Sequence, residues 1–208
     1  KADQVIYDRA WDISEHFVDF LQGTGFKGQL VAPNKTSAIL YRKYLNEIGK
    51  VKAELVISAP DTREGHDDAF EENENIILSF HKSMMDKYGT QEKYEKSIIN
   101  GFKKQELPEL IIVVDKLLTG FDAPNNRVLY LTRSLKEHTL LQAIARVNRL
   151  AEGKDYGLII DYYGNLENLD KAIETYSGGD GMNPEDLIGS VTNVKELIDE
   201  LPQMHSEV

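Results

Sequence analysis

The sequence predicts an α/β protein with a mostly parallel sheet covered by helices. Two observations carry this expectation. Helical periods alternate with short strands along the chain, the order that builds parallel sheets through crossover helices. Three of the strands, residues 110–115 (LIIVVD), 128–132 (VLYLT) and 157–161 (GLIID), are almost wholly apolar, as strands are when both faces of a sheet are covered.

The elements follow in order. Ile6, Ala10, Ile13, Phe17, Phe20 and Leu21 recur at helical spacing, and Gly23 and Gly25 break that first helix. Residues 27–33 (KGQLVAP) form a short strand, after which Asn34 can cap a helix. Ala38, Tyr41, Leu45 and Ile48 make one face of that helix, and Gly49 ends it. Residues 53–58 (AELVIS) are the next strand. The acidic stretch 60–75 reads as a solvated insertion. His66 beside Asp67 and Asp68 makes no metal site there, because adjacent carboxylates point different ways. Helices are expected near 76–87 and 91–103. Another runs between the last two apolar strands and ends near Leu150. Its start has two capping-box candidates, Ser134 with Glu137 and Thr139 with Gln142. Helical segments near 166–176 and 193–201 flank a glycine-rich break (SGGDG).

At 208 residues the chain has room for one domain with a sizeable core and some extension. It has no cysteine, which excludes disulfides and thiolate metal sites. No apolar run approaches a membrane span, and the polar start lacks a signal-peptide core, so a cytoplasmic location is expected. The net charge of −11 argues against a free-standing nucleic-acid binder, because phosphate neutralisation supplies much of such affinity.

The helix from about His138 to Leu150 is the most informative segment. Gln142, Arg146 and Arg149 are spaced i, i+4, i+7, which places them on one helical face. Such a donor-rich face suits phosphate oxygens. On spacing alone an exposed face with two solvated arginines is the better fit. Upstream, Gly120 lets the backbone turn sharply, and Asp122 offers acceptors to a hydroxyl. Thr119 is a hydroxyl donor for phosphate. Gly120 and Asp122 also fit a plain tight turn. The amides of Asn34, Lys35 and Thr36, with the Lys35 ammonium, form a possible phosphate contact at a helix start, although simple capping by Asn34 explains them too.

These segments carry a family resemblance. Residues 142–149 (QAIARVNR) resemble motif VI of superfamily 2 helicases, Gln-x-x-Gly-Arg-x-x-Arg, with Ala145 in place of Gly. Residues 115–124 (DKLLTGFDAP) resemble motif V in the form seen in the motor subunits of type I restriction enzymes, and 157–164 (GLIIDYYG) is similar to the same family. The resemblance extends over roughly 28–172. Val114 departs from it, standing where many superfamily 2 members have a DNA-contacting Thr.

The resemblance implies a RecA-like three-layer domain over 25–164, preceded by a linker helix (1–24) and followed by a helical extension (165–208). It implies that Arg146 and Arg149 act as arginine fingers, with Gln142, Gly120 and Asp122 at the nucleotide. The motif V residues would lie in the crevice beyond a strand's carboxyl end. Asn34, Lys35, Thr36 and Thr119 would meet DNA. ATP and Mg2+ would be held mainly by a first lobe outside this chain, because no phosphate-binding Gly-x-x-x-x-Gly-Lys-Ser/Thr loop is present. Implied partners are double-stranded DNA, the first lobe and nuclease domain of the same polypeptide, and modification and specificity subunits. The chain is then a piece of a larger protein. Two other readings stand beside this one: a domain of a type III restriction or repair helicase, and a non-catalytic interaction domain that keeps the fold. Lys154, in a loop after the arginine helix, is expected to tolerate replacement by Ala. The isolated chain is expected to show no ATP turnover and negligible duplex binding near physiological salt, which a coupled ATPase assay and a binding titration check.

Overall fold

A computed structural model describes residues 2–60, 71–104, 106–118, 121–149 and 151–165. Five parallel strands form one sheet: β1 (Lys27–Val31), β2 (Ala53–Val56), β3 (Leu110–Val113), β4 (Asn126–Leu131) and β5 (Leu158–Asp161). Their order is β2-β3-β1-β4-β5. The helices are α1 (Ala2–Phe20), α2 (Lys35–Ile48), α3 (Glu71–Tyr88), α4 (Gln91–Lys103) and α5 (Glu137–Val147). This is the α/β architecture the alternation predicts. The segments expected at 166–176 and 193–201 lie outside the described residues, as do His66, Asp67 and Asp68.

β1 is the central strand, and all five of its residues are buried. Its side chains alternate between two packed layers. Leu30 joins Ile13 and Phe17 of α1 and Ala38, Tyr41 and Leu45 of α2 in one apolar cluster. Gly28 lies on that face because a Cβ there would come within 3.3–3.4 Å of Leu110, Tyr130 and Phe17. Lys27 and Gln29 face the other way. Lys27 lies over the Phe102 ring of α4, and Gln29 lines a small cavity with Ala143 and Arg146 of α5. Helices therefore cover both faces, and the apolar strands follow from that.

Local signals set several ends. The Asn34 side chain accepts from the Ser37 amide at 2.8 Å, and Gly49 closes α2 at φ 78° with its N–H on the Leu45 carbonyl. Thr90 caps α4 in the same way as Asn34 caps α2. Two ends differ from expectation. α3 begins at Glu71, inside the stretch read as insertion, because its first turn lies before the apolar period that starts at Ile76. α5 starts after Lys136 with no side-chain cap, so neither Ser134 nor Thr139 performs the expected role.

α5 also stops short, at Val147. The Asn148 side chain turns to accept the Gly157 amide at 3.2 Å, which draws the chain out of the helix towards β5. Gly157 packs against the last turn, where an added Cβ would sit 2.3 Å from the Val147 carbonyl oxygen. Gly157→Ala must push α5 away from β5. A loss of about 1–3 kcal/mol is expected for such overpacking, read as a lower midpoint in chemical denaturation.

Candidate functional site at the amino edge of the sheet

Parallel strands require each connection to return along the length of the sheet. Between β3 and β4 the return is made by 114–125, whose described residues form no helix. The Leu117 carbonyl accepts from Gln29 at mid-sheet, at 3.3 Å. By Asn125, whose carbonyl accepts from the Lys27 amide, the chain has reached the amino end of β1. Phe121 and Asp122 therefore lie at the amino edge of the sheet. The carboxyl-end crevice expected for the motif V residues is not where Asp122 sits, because the crossing carries it to the opposite edge.

α5 runs antiparallel to the strands and delivers its last residues to the same place. Arg146 donates to the Phe121 carbonyl at 2.8 Å, and Arg149 pairs with Asp122 at 2.5 Å. The two arginines are not equivalent. Arg146 is half-buried, and its Nε is buried without a hydrogen-bond partner. Arg149 lies beyond the helix end, and more than half of its side chain is exposed, as is that of Asp122. The single helical face expected for Gln142, Arg146 and Arg149 therefore holds only for the first two. Gln142 bonds with the His138 ring one turn earlier, at 3.0 Å. Truncation of Arg146 would therefore disturb packing, whereas Arg149 stands clear of the core.

The helix-start residues proposed to contact phosphate are elsewhere. Asn34, Lys35 and Thr36 follow the carboxyl end of β1, separated from the arginines by the strand's length, about 13 Å for five residues. Asn34 is occupied as a helix cap, and the Lys35 ammonium donates to the Ala59 carbonyl at 3.0 Å. Thr119 and Gly120 lie outside the described residues.

A family model for domain 3 of the type I restriction enzyme R subunit matches residues 24–164. The chain belongs to the type I restriction enzyme R-subunit family. It is 38% identical over 187 residues to the MjaVIIIP type I restriction enzyme endonuclease subunit of Methanocaldococcus jannaschii, covering 85% of this chain. It is 40% identical over 118 residues, 54% of this chain, to the HindI endonuclease subunit of Haemophilus influenzae. The chain spans 17% and 11% of the lengths of these two relatives. A fragment of an HsdR subunit of a type I restriction enzyme from Vibrio vulnificus shares the fold, with a TM-score of 0.52, 19% identity, and coverage of 81% of this chain and 29% of that one. Among the described residues no helix is long and apolar enough to cross a membrane, and no three His, Cys, Asp or Glu side chains gather as a metal site.

One residue of this R-subunit domain departs sharply from its sequence reading. Lys154 is not a loop charge that Ala can replace. It is 1% exposed, and its ammonium donates to the Pro124 carbonyl at 3.1 Å and the Asn126 carbonyl at 2.7 Å. Burial, with repulsion from Arg127 added, lowers its pKa to about 8. An ammonium whose pKa falls on folding makes the unfolded chain bind more protons between that value and its ordinary 10.5, so this group's contribution to stability rises with pH across that window. Site-resolved NMR of the Lys154 Nζ is expected to show a midpoint near 8. A midpoint no lower than the ordinary 10.5 would contradict the burial.

Proposed function

We propose that this chain is the second RecA-like lobe of the ATP-driven, double-stranded DNA translocase motor of a type I restriction enzyme. In this reading Arg149 reaches the nucleotide phosphates held by the first lobe. The observation that carries it is the exposed Arg149–Asp122 pair at the end of α5. Exposed ion pairs are worth at most about 1 kcal/mol, so Asp122 orients the guanidinium without locking it. A phosphate group brought up by a neighbouring lobe competes readily for the same planar fork.

The residues present suit phosphate rather than metal. ATP and Mg2+ would be bound mainly by the first lobe, and ATP would supply the γ-phosphoryl group whose charge must be stabilised. Arg149 would stabilise the charge that spreads over that group in the transition state. Arg146 holds the Phe121 carbonyl and so keeps Asp122 opposite Arg149. Asn34, Lys35, Thr36 and Thr119 remain the candidate DNA contacts, and Gln142 and Gly120 the accessory nucleotide contacts. The first lobe and nuclease domain of the same polypeptide, with modification and specificity subunits, complete the proposed assembly.

The test is DNA-stimulated ATP hydrolysis by the full-length subunit. Arg149→Ala is expected to lower kcat by about 10³-fold or more, the size of an arginine-finger effect, with little change in KM and an intact fold. Arg149→Lys should recover little, since an ammonium lacks the planar fork. Arg146→Ala should lower thermal stability as well as turnover. Near wild-type turnover by Arg149→Ala would refute the proposal.

A further inference from the structure

We propose that Lys154 is a positioning residue for Arg149: its buried ammonium ties the turn that follows Arg149 to the segment that follows Asp122. The inference rests on the role proposed above for Arg149.

The two partners of the exposed ion pair come from chain segments 27 residues apart. At the surface that pair is too weak to hold the segments in register by itself. Behind it stands a stronger tie. After Arg149 the chain makes a tight turn, in which the Lys154 amide donates to the Ala151 carbonyl at 2.9 Å and Gly153 takes φ 74°. The turn aims Lys154 inward. After Asp122 the chain makes its own turn, closed by the Asn126 amide on the Ala123 carbonyl at 2.9 Å. Lys154 donates to two carbonyls of that second turn, those of Pro124 and Asn126.

The chemistry favours positioning over plain packing. An ammonium is costly to bury unless hydrogen-bonded, and this one lies near a second cation, Arg127. An aliphatic side chain would fill the same volume without that cost. What an aliphatic chain lacks is the pair of directional bonds that set the spacing between the two turns. Arg149 and Asp122 hang from those turns, so the spacing sets where the guanidinium sits. Displacements of about 1 Å at a reacting group cost on the order of a hundredfold in rate.

The experiment uses the full-length subunit in its restriction complex, with ATP hydrolysis followed over a range of ATP concentrations. Lys154→Met is expected to lower kcat about tenfold to a hundredfold while KM stays within about twofold. In an Arg149→Ala background it should cause no further loss, because Lys154 acts through that arginine. Gly153→Ala, which strains the turn and meets only the far end of the Phe26 ring, should give a smaller fall in kcat with the same KM. If Lys154→Met fails to fold, as judged by circular dichroism, Gly153→Ala decides: reduced kcat supports the inference, and wild-type kcat overturns it. Unchanged kcat in a folded Lys154→Met overturns it, as does a loss appearing mainly in KM or one that adds to that of Arg149→Ala. Full activity of Arg149→Ala would instead overturn the role proposed for Arg149, whatever Lys154→Met does.

Discussion

The central position of β1, hydrogen-bonded to parallel neighbours on both edges, constrains every other part of this domain. Each connection must travel back the length of the sheet, over one face or the other. β1 runs to β2 under α2, and β4 runs to β5 under α5. The described residues of the return from β3 to β4 form no helix, so their backbone needs partners from the sheet and from flanking segments. Of the polar residues within the buried central strand, Gln29 meets part of that need, and Lys27 holds the segment that leads into β3. Gln29 reaches the Leu117 carbonyl and accepts from Asn126 at 3.0 Å, and Lys27 donates to the carbonyls of Glu106 and Pro108. Polar groups in the middle of a core are thereby explained by the chain segments they hold.

That crossing divides the domain into two chemical edges. The amino edge gathers Phe121, Asp122, Arg146, Arg149 and Lys154. The carboxyl edge carries Asn34 and Lys35 together with an Asp115–Arg133 pair at 2.6 Å. Arg146 and Arg149 also acquire separate roles. One is consumed in holding a backbone carbonyl, and the other is presented to solvent by a carboxylate.

Much of this is legible in the sequence, for local reasons. β3, β4 and β5 announce themselves by continuous apolar runs, and α2 by a capping Asn34 and a terminating Gly49, whose partners lie within four residues. The ends of α5 are not legible. Its start uses no side-chain cap, and its stop depends on Asn148 meeting Gly157 after the chain has turned back. Arg149 therefore reads as helical when it is not. Lys154 misleads for the same reason. Its carbonyl partners lie 28 and 30 residues upstream, and a backbone carbonyl leaves no mark in the sequence. The short spacing from Asn148 to Gly157, with a single Lys after Glu-Gly, is the one hint that this loop folds tightly against α5.

A structure of the full-length subunit with DNA, Mg2+ and a non-hydrolysable ATP analogue would locate Arg149 relative to the nucleotide. Its guanidinium is expected within charge-assisted hydrogen-bond reach of a γ-phosphate oxygen, about 3 Å, with Asp122 shared or released. An Arg149 still paired with Asp122 and separated from the nucleotide by more than a Debye length, about 8 Å at physiological salt, would contradict the proposed role.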